Sequence, residues 1–223
     1  MEYFRTGEAI KAGWEKFKAH MFFLWMVLGV LVVSQIIFGF LEEATKEMGF
    51  FSVIVSLTTA LLGMFMSLGF IRLYLDLIDG GTEGRLSTIF SPNQLFWSYV
   101  GASILFGLAV GIGFLLFIVP GIYFAVKYQF YGELIVDKKM NALQALKKSG
   151  EITDGVKWQL FGFGLALLGV NILGALALGI GLFVTIPLSS VAYFIVYRKL
   201  SVRLNTATPL EVTAQPTAPV QAL

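Results

Sequence analysis

The sequence predicts an all-α, polytopic integral membrane protein: six transmembrane helices in three hairpins, with amphipathic helices on the inner membrane surface. Composition, the length of the apolar runs and the sidedness of the basic residues carry this prediction. Of 223 residues, 57% are hydrophobic and 13% charged, and the mean hydropathy is +0.80. Soluble domains carry about 25% charged residues. A chain this apolar cannot cover its own surface with polar side chains, so lipid is its solvent.

Met21 to Leu41 contains no charge and is long enough to cross a hydrocarbon core of about 30 Å. Basic residues precede it, as in a secretory signal. A signal core is only about 7–15 residues and ends at a small-residue cleavage site, whereas this run ends in Phe38-Gly39-Phe40-Leu41-Glu42. It reads as a retained first span. Phe50–Leu75 is a second, interrupted only by Arg72. Leu95–Val136 and Trp158–Tyr197 would each extend about 60 Å as one helix, which is two crossings and requires an internal turn. Gly111-Ile112-Gly113 and Gly179-Ile180-Gly181 fit such turns because glycine accepts positive φ; Pro120 and Pro187 are the alternatives. The glycine choice gives spans of about 21–41, 50–75, 95–110, 114–136, 158–178 and 182–200.

Cytoplasmic loops collect Lys and Arg. In this topology Arg5, Lys11, Lys16 and Lys18 share one side with Arg72 and Arg85, with Lys138, Lys139, Lys147, Lys148 and Lys157, and with Arg198, Lys199 and Arg203. Lys46 is left on the opposite side, and Lys127 inside a span. Five or seven spans would scatter these groups. Trp97, Tyr99 and Trp158 begin spans on the inner side, and Tyr74 and Tyr197 end there, as headgroup-level aromatics do. The expected location is the plasma (inner) membrane, multi-pass, with both termini cytoplasmic.

Within the first 203 residues, read as one membrane domain, the inner connections show helical spacing. Ile10, Trp14, Phe17 and Met21 recur opposite Lys11, Glu15 and Lys18, predicting an amphipathic helix on the inner leaflet. Asn141–Ser149 predicts another, with Asn141 as N-cap and Gly150 as stop, turning Leu143 and Leu146 toward lipid or bundle. Leu86–Phe90 is a shorter case, ended by Ser91-Pro92. Placing Ala9 on Ala145 superposes Lys11 on Lys147, Glu15 on Glu151 and Gln35 on Asn171, a hint of a three-unit repeat. From 204 to 223 the chain is mostly Thr, Ala, Pro, Val and Gln, with three Leu, one Asn and a single acid, Glu211, which reads as a disordered cytoplasmic tail.

Chemistry-bearing motifs are sparse. Absence of cysteine excludes thiolate catalysis and Cys-ligated metals. His20, the only histidine, sits at the mouth of the first span without a second ligand at metal spacing. Asp76-Leu77-Ile78-Asp79-Gly80 resembles the start of the aspartate motif of CDP-alcohol phosphotransferases. There an alanine–arginine pair and two further aspartates follow; here Glu83-Gly84 stands instead, and the next aspartate is Asp137. Two carboxylates cannot build that dimetal site. The expectation is a non-enzymatic protein with no catalytic residue, metal, cofactor or nucleic-acid partner.

Ionisable groups inside a span are costly and point to function by default. Arg72, Lys127 and Arg198 fall in the inner third of the second, fourth and sixth spans. They are either interfacial anchors that snorkel or a basic ring for an anionic lipid or phosphate. Lys127 lies deepest, about 20 Å from the outer surface by helix rise from Gly113, with Tyr123 and Tyr131 four residues either side. Gln35 and Asn171 predict interhelical polar contacts. Gly107-x-x-x-Gly111 and Ala177-x-x-x-Gly181 permit close helix approach.

Pro120-Gly121-Ile122-Tyr123-Phe124-Ala125-Val126-Lys127-Tyr128, then Ala142-Leu143-Gln144-Ala145-Leu146-Lys147-Lys148-Ser149, then Thr153-Asp154-Gly155 and Trp158, resembles a known pattern across residues 85–200. The pattern is that of the membrane domain of bacterial glycerophosphodiester phosphodiesterases and of related stand-alone bacterial six-helix membrane proteins of unknown function. The resemblance implies a six-helix bundle near phospholipid processes; the catalytic barrel has no counterpart here. The leading expectation is a lipid-associated or partner-binding subunit, with membrane lipids (anionic ones included), a protein partner or a second copy as ligands. A small permease for a lipid or anionic solute is the alternative. A cavity converging on Lys127 would favour the permease, and a dry interior the subunit.

Overall fold

In lipid each backbone N–H and C=O must be satisfied within its own segment, so runs this apolar fold as helices. The computed structural model describes residues 4–80, 93–177 and 179–207, and all its regular elements are α-helices. They are α1 (Thr6–Ala19), α2 (Met21–Thr45), α3 (Phe50–Ile78), α4 (Asn93–Leu116), α5 (Ile118–Tyr128), α6 (Tyr131–Lys138), α7 (Ala142–Ile152), α8 (Lys157–Leu176) and α9 (Leu182–Ala207). Among the described residues, α2, α3, α4, α8 and α9 are the five helices long and apolar enough to cross a membrane. The fourth predicted span, 114–136, is divided between the end of α4, the short α5 and α6.

α9 is the centre of the packing. Val191, Ala192, Val196, Tyr197 and Leu200 along it are fully buried, and it touches α1, α2, α3, α7 and α8. Tyr74 of α3 stacks on Phe194 with ring centroids 5.0 Å apart. Pro187 lies inside α9, where its missing N–H strands the Phe183 carbonyl one turn earlier. The Trp25 indole N–H of α2 donates to that carbonyl at 3.0 Å.

The two expected turns differ. Gly179 has φ +76° and separates α8 from α9, so glycine does make that turn. Gly111–Gly113 does not turn: α4 runs through it to Leu116, and the break falls at Phe117, in extended conformation (φ −164°, ψ 159°). Pro120 sits in the first turn of α5, where its missing N–H costs nothing. Gly113 and Gly121 serve close approach instead. A Cβ on Gly113 would meet Gly121 Cα at 2.8 Å, and one on Gly121 would meet the Phe114 ring at 2.5 Å. Gly107 and Gly111 face open space, whereas Gly181 closes on Gly174, so of the two expected spaced pairs only the one ending at Gly181 supplies a close approach.

α1 also departs from expectation. Its buried face is Ala9, Gly13 and Phe17, and a Cβ on Gly13 would stand 3.1 Å from the Ala192 Cβ of α9. Lys16 Nζ caps α3, donating to the Leu77 (3.3 Å) and Ile78 (3.1 Å) carbonyls. Trp14 and Met21 are turned outward. The helix is therefore docked on the bundle through Ala9, Gly13 and Phe17, and of the expected bulky stripe Phe17 faces the bundle while Trp14 and Met21 do not. Helix α9 continues to Ala207, into the stretch expected to be tail. Arg85, the Glu83-Gly84 departure, Leu86–Phe90, Ser91-Pro92 and residues 208–223 lie outside the described residues.

Candidate functional site

The site grows from the break between α5 and α6. Leaving helical geometry at Gln129–Phe130 orphans several backbone groups, and each finds a side chain. The Lys127 carbonyl lies 3.1 Å from the hydroxyls of both Ser149 and Thr153. The Phe130 N–H donates to Ser149 Oγ at 3.1 Å. Gln129 Nε2 covers the Val126 carbonyl at 3.1 Å, and the Tyr193 hydroxyl donates to the Gln129 carbonyl at 3.0 Å.

α7 is held in place to do this by its own start. The Gln144 N–H donates to Asn141 Oδ1 at 2.9 Å while Gln144 Oε1 accepts from the Asn141 N–H at 3.4 Å, a reciprocal capping box. Its buried face is Ala145, Ser149 and Ile152. Leu143 turns outward, and Gly150 does not stop the helix, which continues to Ile152. Gly150 makes room instead: a Cβ there would meet Lys127 Cε at 3.1 Å.

Lys127 thus lays its stem across α7. Its ammonium sits over the Tyr128 ring (5.1 Å) and the Tyr123 ring (5.9 Å), at cation–π distance. Tyr131, the other expected neighbour, lies beyond the break and pairs with Ser103 at 3.0 Å. An open cavity of about 650 Å³ has Lys127 in its wall, with Leu105 and Ala109 of α4, Tyr123 and Tyr128 of α5, Leu143, Leu146, Lys147, Gly150 and Glu151 of α7, and Asp154 and Lys157 beyond it.

The charges in this wall are not equivalent. Glu151 is taken by Lys148 at 2.9 Å and Asp154 by Lys157 at 2.5 Å. The hydrogen bond and charge of Lys157 hold the Asp154 carboxyl below the usual carboxylate range, with a smaller contribution from Lys127. Among the described residues Lys127 and Lys147 make no ion pair. The cavity therefore presents two ammonium groups outside any ion pair beside two phenol rings.

The expected basic ring does not assemble around this cavity, since neither Arg72 nor Arg198 lines it. Arg198 is committed elsewhere: Nη1 reaches Asp137 Oδ1 at 2.7 Å and Nη2 pairs with Asp79. The Tyr197 hydroxyl donates to Asp137 Oδ2 at 2.9 Å. The Asp79 of the phosphotransferase-like fragment is thereby used to join α3 to α9. Arg72 is half-buried within α3.

Asn171 Nδ2 reaches Ser189 Oγ at 3.0 Å, an α8–α9 contact, and its Oδ1 is buried without a partner. Gln35 makes no such contact: it is exposed on α2 and has no hydrogen bond, because that face of α2 has no neighbouring helix. From sequence, Lys157 carries only a topological role, and Tyr128, Ser149 and Thr153 stand only within the resemblance or as a helix end, with no site role for any of them. Their signal was spacing, since Ser149 and Thr153 stand one turn apart on one face of α7.

Uncharacterised proteins of Mycobacterium bovis and of Mycobacterium tuberculosis are 27% identical to this chain over 89% of its length and 69% of theirs. A third, from another Mycobacterium tuberculosis strain, is 26% identical over the same shares. No solved structure matches. These relatives suit the stand-alone bacterial proteins of unknown function in the expected resemblance, and no match names a phosphodiesterase. Residues 114–204, which contain Lys127, all of α7, Asp137 and Arg198, match a family described as "Protein of unknown function (DUF975)".

Proposed function

We propose that this is a non-enzymatic, lipid-associated protein of the bacterial inner membrane, with both termini cytoplasmic, that holds an anionic, phosphate-bearing headgroup in the Lys127 cavity. The observation that carries this reading is the pairing pattern in the cavity wall. Both acids there are neutralised by Lys148 and Lys157, and Lys127 and Lys147 are not. An ammonium at the centre of a spanning helix costs about 2.5–3.5 kcal/mol on insertion scales; a half-buried one nearer the headgroups costs less, and a phosphate monoanion would offset it. The tyrosines suit the headgroup level, where a ring meets hydrocarbon and its hydroxyl meets water.

The cavity is peripheral. Its lining comes from α4, α5, α7 and the start of α8, while the α9-centred core is closely packed. That favours a binding subunit over a path through the bundle. The cavity at Lys127 nevertheless supports a second reading, a permease for a lipid or anionic solute, with a second copy completing the pathway. The test is native mass spectrometry of protein gently extracted from nanodiscs of equal phosphatidylglycerol and phosphatidylcholine. Wild type should retain phosphatidylglycerol and Lys127→Met should lose it at least tenfold at unchanged thermal stability. Equal retention by the variant would leave Lys127 as an anchor only.

A further inference from the structure

A second cavity, of about 510 Å³, adjoins the first. Its wall is formed by Val119, Ile122 and Val126 of α5 with Trp158 and Phe161 of α8, and it shares Tyr123 and Lys157 with the headgroup cavity. The shared residues join the two cavities: the Tyr123 ring has both the Lys127 ammonium (5.9 Å) and the Lys157 ammonium (5.5 Å) at cation–π distance. Lys157 is tied to Asp154, and Lys127 makes no ion pair among the described residues. The first cavity is rich in charged side chains and the second mostly apolar, and they meet at an aromatic ring.

Building on the headgroup reading, we infer that the two cavities are one site for a glycerophospholipid, with its phosphate at Lys127 and Lys147 and one acyl chain in the α5–α8 cleft. Val119 and Val126 bracket about 10 Å of α5 by helix rise, a groove extended along the helix. An extended chain fits such a groove; a free phosphate or a sugar phosphate leaves it empty. In a bilayer the chain gains no hydrophobic free energy by leaving other tails for the cleft. The cleft therefore acts on retention through orientation: it places the phosphate under Lys127, and filling it weakens the charge contact that holds the lipid.

The occupant is tested with a phosphatidylglycerol carrying a diazirine on one acyl chain, in nanodiscs otherwise of phosphatidylcholine, using the wild-type full chain. Photolysis should label peptides containing Val119–Val126 and Trp158–Phe161 at least five times more than the exposed faces of α2 and α3. Labelling spread evenly over all lipid-facing helices overturns the inference. As a second measurement, Ile122→Trp, which fills the cleft without touching Lys127, should lower phosphatidylglycerol retention at least threefold. Unchanged retention in Ile122→Trp beside loss in Lys127→Met removes the chain cleft and leaves the headgroup reading standing. Unchanged retention in both variants removes both.

Discussion

Arg198→Ala tests the clamp that joins α3, α6 and α9. The Arg198 and Asp137 side chains are only 22% and 12% exposed, and the guanidinium joins α9 to Asp137 of α6 and Asp79 of α3. Removing one member of a buried pair costs about 3–5 kcal/mol because a charge is left uncompensated. Here Asp137 would keep the Tyr197 hydroxyl at 2.9 Å and Lys138 at 3.4 Å, which lowers the cost. The more exposed Asp79 arm adds at most about 1 kcal/mol. Together these give a loss of about 2–3 kcal/mol, or about 4–12 °C in midpoint for a chain of this size.

Tryptophan-fluorescence melting in detergent at pH 7 reads that shift. The double variant Arg198→Ala/Asp137→Ala should melt higher than Arg198→Ala, since no charge remains stranded. Burial alone would raise the Asp137 carboxyl, but the Arg198 and Tyr197 hydrogen bonds outweigh it and hold the group below its usual value. The unfolded chain then binds more protons, so this stabilisation is complete above the unfolded value of about 3.9 and lost as pH falls through the lower folded value. The gap between wild type and Arg198→Ala should be constant from about pH 7 to pH 5 and shrink below about pH 4. A shift under about 1 °C at pH 7, or a double variant no better than the single, would refute the clamp.

Gly121→Ala should cost about 1–3 kcal/mol because its Cβ would enter the Phe114 ring. Gly111→Ala, facing open space, should be neutral or raise the midpoint; the reverse order would restore a turn at Gly111. Asn141→Ala removes the capping box and should cost about 1 kcal/mol, read as faster amide exchange across α7. Trp25→Phe leaves the Phe183 carbonyl without its donor and should cost about 1 kcal/mol. Reporter fusions at Lys46 and within Gly179–Gly181 should read external, and those at Lys147 and Leu210 cytoplasmic; an external C-terminus would end the proposed orientation.

Helix formation was legible in the sequence because apolar runs leave the backbone no other partner in lipid. Asn141 as a cap was legible because its side chain acts on its own neighbours. What escaped was set by partners distant in the chain. Nothing local to Gly150 shows that Lys127 will cross it, and nothing local to Pro187 shows that Trp25 will serve its stranded carbonyl. Arg198 looked like an unpaired intramembrane cation because Asp137 and Asp79 are 61 and 119 residues away. Gln35 and Asn171 aligned in the repeat register, yet only Asn171 found Ser189 opposite it.

The stitched break between α5 and α6 constrains how the chain can be built. Lys127 and Phe130 depend on hydroxyls that are synthesised later, at Ser149 and Thr153. An unpaired peptide group away from water costs up to several kcal/mol, so before α7 docks, residues 118–138 avoid that cost only as one unbroken helix or with water at the break. The kink is therefore fixed only once α7 has packed against it.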